Sequence, residues 1–471
     1  PGAPLSTQKY AAIVLGAGPG GYPCGIRLGQ LGVKTLVIER EYWGGVCLNV
    51  GCIPSKALIT AGKRVEEIAH AGAMGIEVPG KPVVHMDKLQ AWKQSVVNKL
   101  TGGVRTLLKA NKVDMMVGNA RFVGPRTLEV TTADGVVTVE GDNVVVAVGS
   151  RPIEIPGFSY RDRRVLDSTK ALALDEIPRR LAVIGGGYIG LEMGMMFAKL
   201  GTEVTVVEAA DTVLPGFDPD VVKLIERRCK KDKIKVFTKS QALGWEEGDG
   251  GATLRYRTAA GEQSVDVDYV LVTVGRRPNT DTCNLEATGV AMEGRFIKTD
   301  SQLKTSVPGV FAIGDCTTGL MLAHKASHDG EVAAEVIGGH NAHNVAKTVP
   351  AVVFTDPEIA TAGLMEHEAR AQGYAVKVGK VPFAAIGRAL TTNDTDGFIK
   401  VIVDQQNDRV LGVTICGPHA SDLISEAVLA VEMDCEALDI GLSIHPHPTL
   451  GEGVMEAAKA AIGQAIHVVN G

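Results

Sequence analysis

Aromatic residues are sparse in this 471-residue chain, at 4%, and neither sign of charge dominates it. A net charge of −6 and a pI near 6.0 exclude the basic field that draws a protein to nucleic acid or to an anionic membrane surface. No uninterrupted apolar run reaches the eighteen or so residues of a membrane-crossing helix. The opening PGAPLSTQKY has no charged and apolar succession of the kind an export signal carries. Cysteine is scarce as well. The eight are scattered except for Cys47 and Cys52, far from the density of a secreted disulfide scaffold. A reducing compartment follows as the expectation: a bacterial cytoplasm or, if a presequence was removed, a mitochondrial matrix. The eleven histidines make no metal constellation with the cysteines, because His324 and His328, four apart, have no third ligand at a known spacing. No metal is expected.

Hydrophobic residues at 45% and charged residues at 22% are ordinary for a globular protein, and the length exceeds what one core holds. Glycine, at 56 residues, is abundant, and much of it falls in a pattern that occurs twice. In the first copy the apolar run YAAIVL leads into Gly16-Ala-Gly18-Pro-Gly-Gly21, a segment able to form a helix, and VKTLVIE ending in Glu39. In the second, RLAVI leads into Gly185-Gly-Gly187-Tyr-Ile-Gly190, a helical segment, and TEVTVVE ending in Glu208. In both copies the acid lies 23 residues after the first glycine. The first glycine permits a sharp turn, the second lets a pyrophosphate approach the backbone, and the third lets the helix pack on the strand. The acid accepts hydrogen bonds from an adenosine ribose. VVVAVGSRP (144–152) and VLVTVGRRP (270–278) repeat one another behind the two copies, each reading as a buried strand that leaves a nucleotide domain. GVFAIGDC (309–316) adds a further buried strand with Asp315 at its carboxyl end, and a helix is expected from His324 to Ile337.

From about residue 350 the texture changes. The β-rich runs AVVFT, YAVKVGKVPF, GFIKVIV and VLGVTIC precede helical stretches at 420–433 and 453–466, with IHPHPTLGE (444–452) lying between them. Its prolines would hold His447 on a rigid turn. The remaining piece is GGVCLNVGCIPSK (44–56), whose five-residue spacing puts both sulfurs in one short helical turn beside Lys56. In a reducing compartment such a close pair serves catalysis or metal binding more often than structure.

In this order and spacing the motifs resemble those of the flavin-dependent pyridine nucleotide-disulfide oxidoreductases over essentially the whole chain, and within them the lipoamide branch. The resemblance implies an α/β fold with two Rossmann-like dinucleotide-binding domains and a C-terminal α+β dimerisation domain. Residues 1–150 would bind FAD, residues 151–279 NAD, residues 280–349 would complete the FAD domain, and residues 350–471 would form the interface. It implies a Cys47–Cys52 redox disulfide, with Cys47 exchanging with substrate and Cys52 facing the flavin, supported by Pro54. Lys56 would lie near the flavin's reactive edge, paired with Glu192, an acid whose apolar setting YIGLEMG calls for a partner. Ala120, Asp315 and Ala323 would join Gly16, Gly18, Gly21 and Glu39 around FAD, and Gly275 would join Gly185, Gly187, Gly190 and Glu208 around NAD. His447 would be the base that deprotonates a thiol, oriented by Glu452, with His445 structural. The implied partners are a second copy of the chain and a dihydrolipoyl carrier of a 2-oxo acid dehydrogenase or glycine-cleavage complex.

Pro446 departs from the small residue usual in that histidine motif, and Pro23-Cys24 depart from the usual first glycine helix. LNVGCIPSK, HPHPT and Gly190 set the chain apart from NADPH-dependent disulfide reductases of the glutathione reductase type. The ending QAIHVVNG lacks the cysteine pair of mercuric reductases. Intact Cys47, Cys52, His447 and Glu452 argue against a flavin-binding scaffold that has lost its chemistry. No arginine follows Glu208 in VVEAADTV to take a 2′-phosphate, which favours NAD over NADP.

Overall fold

The computed structural model describes residues 7–248 and 250–470. The short valine- and isoleucine-rich runs at the centres of the parallel sheets form strands covered on both faces, as such sheets require. Strand β1 (Gln8–Leu15), helix α1 (Gly21–Gln30) and β2 (Thr35–Glu39, buried throughout) open a seven-stranded sheet. It continues with β3 (Asp114–Val117), β4 (Asn119–Gly124), β5 (Thr127–Thr132) and β6 (Gly135–Val146) in the order β3-β2-β1-β6-β5-β4. The run Val310–Ala312 pairs in parallel with β6, so residues long after the second glycine copy return to the first sheet. The second sheet has five parallel strands in the order 235–237, 203–207, 180–184, 269–272, 165–166. In each sheet the strand entering the glycine turn lies at the centre, with the acid-bearing strand beside it, so the duplication extends to tertiary structure.

The two echo strings differ from the single strands expected of them. The first strand stops at Val146 and resumes at Ser150–Pro152, and the second stops at Val272 and resumes at Arg276–Pro278, because Gly149 and Gly275 take φ of +67° and +124° and turn the chain. The resumed pieces pair with each other, Arg276 opposite Pro152, and so link the two nucleotide units.

The C-terminal region is a five-stranded antiparallel sheet in the order 351–353, 358–363, 410–417, 398–404, 376–382. Strand Glu358–Gly363 was not legible, since EIATAG has small residues where strands usually carry branched ones. Helices Ala420–Glu432 and Glu452–Ala461 cover one face, with a short helix Ala437–Leu442 between them. The last long helix ends at Ala461 rather than 466, because Gly463 at φ +73° leaves the helical region. Residues from the other face, Val353, Ile359, Phe398 and Cys416, share a core with Leu58, Met195 and Phe197. Three parts of the chain therefore meet in one apolar interior.

Candidate functional site

The redox segment is two helices, not one turn. α2 (Gly45–Val50) carries Cys47, α3 (Cys52–Ala69) begins with Cys52, and Gly51 between them, at φ −136° and ψ −112°, breaks the helical path. The two helices still bring the thiols close enough that each shifts the other's titration. Pro54 falls in the first turn of α3, where it has no helical hydrogen bond to lose, and it is buried. The stretch Gly45–Ala69 is long and apolar enough for a membrane span by composition alone, but it is broken at Gly51, and α3 packs against the second glycine helix.

α2 is held against the first glycine turn by contact too close for side chains: a Cβ on Gly45 would lie 2.5 Å from the Gly18 Cα. The three glycines of that turn differ in what requires them. Gly16 has φ +109°, and a Cβ on Gly21 would lie 1.8 Å from the Gly16 carbonyl oxygen, so the fold itself excludes side chains at both. A Cβ on Gly18 meets nothing closer than 3.8 Å, so its bareness serves a group approaching from outside. The second turn repeats this: Gly185 has φ +104°, a Cβ on Gly190 would lie 2.0 Å from the Gly185 oxygen, and Gly187 has nothing within 4 Å. Both acids brace their turns. Glu39 accepts from Ala17 N–H (2.7 Å), Glu41 N–H (2.9 Å) and Tyr42 N–H (3.1 Å), while Glu208 accepts from Gly186 N–H and Ala210 N–H, each at 2.6 Å.

A cavity of about 300 Å³ runs from Glu39 at the end of β2, past Gly16 and Gly18, to Cys47, Cys52 and Lys56, and Ala120, Asp315, Ala323 and Glu192 also line it. A dinucleotide fits this wall: an open glycine and a helix start for phosphates, a carboxylate at the ribose end and sulfur at the other. Gly21 packs beneath the wall. Gly185, Gly187, Gly190, Glu208 and Gly275 lie outside the cavity, although Tyr188 and Ile189 of the second glycine helix (Tyr188–Leu200) reach it.

Lys56 Nζ donates to Glu192 Oε2 at 2.8 Å and lies 4.5 Å from the centre of the Phe354 ring. Glu192 is 5% exposed, and its other oxygen accepts from Phe354 N–H at 2.9 Å. The Cys47 S–H donates to Cys52 and lowers the Cys52 thiol from its ordinary 9.0 to about 7. Burial opposes that shift, and the Lys56 ammonium adds to it. Cys47 moves the opposite way, because giving up its proton would forfeit the bond to Cys52 and burial penalises its charge. The two shifts run in opposite directions and favour the thiolate at Cys52 over Cys47.

His447 and Glu452 stand elsewhere in the fold. His447 Nδ1 bonds Glu452 Oε1 at 2.8 Å, and Glu452 Oε2 accepts from Thr449 N–H at 2.8 Å. Burial pushes the Glu452 carboxyl up, but the Thr449 N–H and the His447 ring together hold it below the usual range. The His447 side chain is 77% exposed and lines no part of the cavity. His445, by contrast, is packed at 9% exposure between Glu426 Oε1 and the Ser443 carbonyl. Pro446 therefore sits between a fixed histidine and a free one.

Two family models match the chain: pyridine nucleotide-disulphide oxidoreductase over residues 10–330, and the dimerisation domain of the same family over residues 349–458. The chain belongs to the pyridine nucleotide-disulphide oxidoreductase family. It is 50% identical to the dihydrolipoyl dehydrogenase of Geobacillus stearothermophilus over 97% of each chain. Its identity to that of Bacillus subtilis is also 50%, over 99% of this chain and 98% of the relative. The enzyme of the same name from Halobacterium salinarum is 47% identical over 99% of both. Among solved structures it resembles LpdA of Mycobacterium tuberculosis (TM-score 0.88, 26% identity) and the HOCl-induced flavoprotein disulfide reductase RclA of Escherichia coli (TM-score 0.86, 27% identity), each match covering 96% of this chain and 99% of the other.

In this member of the family several residues at or behind the cavity wall had no sequence signal. Ser150 Oγ donates to Asp315 Oδ2 at 2.5 Å and receives Arg276 Nε at 2.8 Å, joining the two halves of the echo repeat to the cavity wall. Asp329, 1% exposed, holds the Gly314 N–H of the turn that presents Asp315, and its helix neighbour Lys325 pairs with it at 2.7 Å. Only the four-residue spacing of Lys325 and Asp329 could have hinted at that clamp. The two departures in the first glycine helix are accommodated. Pro23 falls in the first turn of α1, and Cys24 is buried where helix Ala323–Ile337 crosses at Gly330.

Proposed function

We propose that this chain oxidises dihydrolipoyl groups presented by a carrier protein and delivers the electrons to NAD, as the E3 component of a 2-oxo acid dehydrogenase or glycine-cleavage complex. The observation that carries the reading is the Cys47–Cys52 pair with Lys56 at the far end of a cavity that starts at Glu39. Near-full-length similarity to dihydrolipoyl dehydrogenases supports the substrate. FAD, held by Gly18, the start of α1, Glu39, Ala120, Asp315 and Ala323, supplies a two-electron carrier between the dithiol and the nicotinamide.

The protein's own part is thiol chemistry. His447, oriented by Glu452, takes the proton of one substrate thiol. That sulfur attacks Cys47, the Cys47–Cys52 bond breaks, and Cys52 leaves as a thiolate facing Lys56. The second substrate thiol attacks the mixed disulfide at the substrate sulfur, closing the lipoyl ring and returning Cys47 as a thiol. Dihydrolipoyl and NAD become lipoyl and NADH, and one proton goes to solvent. NAD is taken by the Gly185–Gly190 turn, Glu208 and Gly275.

Because His447 lies outside the cavity of its own chain, the working unit is a homodimer in which each chain lends this histidine to the other. Helix Ala420–Glu432 turns Ile424, Ala427 and Val431 into its own core, and the apolar residues left exposed for an interface are Leu429 and Met433, with Leu442 and Ile444 beside the histidine turn. Unpaired buried thiols at Cys24, Cys229, Cys283, Cys316 and Cys416 suit a reducing compartment such as a cytoplasm.

Rates with dihydrolipoamide plus NAD, set against glutathione disulfide plus NADPH, test the substrate, and faster turnover of the second pair would reject it. Complementation tests the dimer. Mixing inactive Cys47→Ser and His447→Gln chains in equal amounts restores up to about a quarter of full activity by random pairing in two-fold symmetric dimers. No recovery from demonstrated mixed dimers would place each site within one chain.

A further inference from the structure

α3 and the second glycine helix are joined by two ion pairs of opposite polarity. Near their starts, Lys56 of α3 meets Glu192 at 2.8 Å; near their ends, Glu66 of α3 meets Lys199 at 2.5 Å. Between the pairs, Gly62 of α3 leaves only 3.3 Å between a would-be Cβ and the Met196 carbonyl oxygen, so the helices approach as closely as backbone allows. One short segment of the C-terminal domain touches both pairs. Phe354 gives its N–H to Glu192 and its ring to Lys56. Two residues on, Asp356 binds Lys199 and accepts from Arg228 at 3.0 Å, and its N–H donates to the Met195 sulfur at 3.4 Å. Arg228, on helix Pro219–Lys231, also binds Glu66 and pairs with Asp232 at 2.7 Å. Lys199 and Arg228 are only 7% and 8% exposed. Removing a partner from such buried charges leaves the remainder uncompensated, which forces rearrangement rather than tolerance.

We propose that Glu66, Lys199 and Asp356 are positioning residues that keep Lys56 and Glu192 in place beside Cys52, and so tie the reactivity of the redox pair to the C-terminal domain. The proposal rests on Cys52 being the flavin-facing thiol. The titratable groups facing Cys52 are Cys47, Lys56, Glu192 and Tyr188. None belongs to the distant cluster, so the cluster acts on Cys52 through the placement of Lys56. The sign separates this from a plain field effect. Deleting the carboxylate of Glu66 or Asp356 removes negative charge, and by field alone that makes the thiolate easier to form. Loosening Lys56 makes it harder.

The experiment is a pH titration of the long-wavelength flavin–thiolate absorbance in the two-electron-reduced holoenzyme. Asp356→Asn and Glu66→Gln raise the midpoint by about one pH unit, a tenfold loss of thiolate at a fixed pH below it. Asp356→Glu restores the native midpoint, and Asp218→Asn, which breaks a comparably buried pair with Lys400 but touches neither α3, Arg228 nor the 354–356 segment, leaves it in place. An unmoved or lowered midpoint in folded, flavin-bound Asp356→Asn overturns the proposal, as does an equal rise in Asp218→Asn. If Asp356→Asn fails to fold, Glu66→Gln and Asp356→Glu decide by the same criteria. A wild-type holoenzyme with no such band overturns the reading of Cys52 itself, which the wild type reveals before any variant is made.

Discussion

The two glycine copies share a strand order, a turn and a bracing carboxylate, yet they end in different surroundings. In the first, Gly18 is pressed against Gly45 of the thiol-bearing segment, and the turn forms one wall of a cavity that β4, the Asp315 turn and helix Ala323–Ile337 help to close. In the second, Gly187 faces open space, and Glu208, with two amide partners where Glu39 has three, stays partly exposed. The same local device thus suits two kinds of occupancy. A cofactor that remains bound benefits from enclosure, whereas one that is used and released each turnover needs an open face. On the proposed assignment the first is FAD and the second NAD.

The sharpest way to break this comparison is at the feature only the first copy possesses. Cys52→Ser abolishes dihydrolipoamide oxidation while FAD stays bound, because the cavity wall survives and the thiolate does not. Residual turnover near the wild-type rate, or survival of the long-wavelength absorbance of the reduced enzyme, would remove the thiols from the first site's chemistry.

Next in size is the pair Gly21→Val and Gly190→Val. Each inserts atoms into a carbonyl about 2 Å away and costs about 1–3 kcal/mol or more of stability. Their functional consequences diverge. Gly21→Val yields colourless protein, and Gly190→Val yields yellow protein that no longer uses NAD. Loss of flavin from both, measured by absorbance after purification, would show that the two sites are not separable.

Glu208→Ala, a smaller change, lowers kcat/KM for NAD about tenfold and narrows the preference over NADP, since the carboxylate is both an acceptor for the 2′-hydroxyl and a repulsive charge for a 2′-phosphate. Steady-state rates with the two coenzymes at subsaturating concentration measure it. An unchanged ratio would detach Glu208 from coenzyme choice.

The mildest test uses Gly18→Ala and Gly187→Ala. Neither glycine has a positive φ or a neighbour that a Cβ would strike, so both variants keep or slightly raise the melting temperature. Each nonetheless weakens its own dinucleotide, FAD in one and NAD in the other. A drop in melting temperature without loss of affinity would mean these glycines serve the fold after all.

Much of this was legible because it is local. Glycine spacing, a strand ending in an acid and a cysteine pair before Pro54 are set by backbone geometry within some two dozen residues, and there the residue type is the constraint. The Gly51 break was not legible, since glycine is permissive rather than directive. Nor were the splits in the echo strings, where Gly149 and Gly275 lie inside apolar runs that read as continuous strands. Glu192 stood out as an acid that needed a partner, and the family resemblance, not its neighbours in sequence, named Lys56, with which it pairs.

The sequence by itself determined the two nucleotide units, the thiol pair and the His447–Glu452 pair, because each depends on neighbours a few residues away whose chemistry permits little else. Tertiary structure alone decided what those pieces face. It brought Phe354 and Asp356 onto Lys56, Glu192 and Lys199, Arg276 onto Ser150 and Ser150 onto Asp315, and left His447 exposed and outside its own chain's cavity. Contacts across 100 residues or more form only when separate apolar faces are buried together, and no local preference encodes which face meets which.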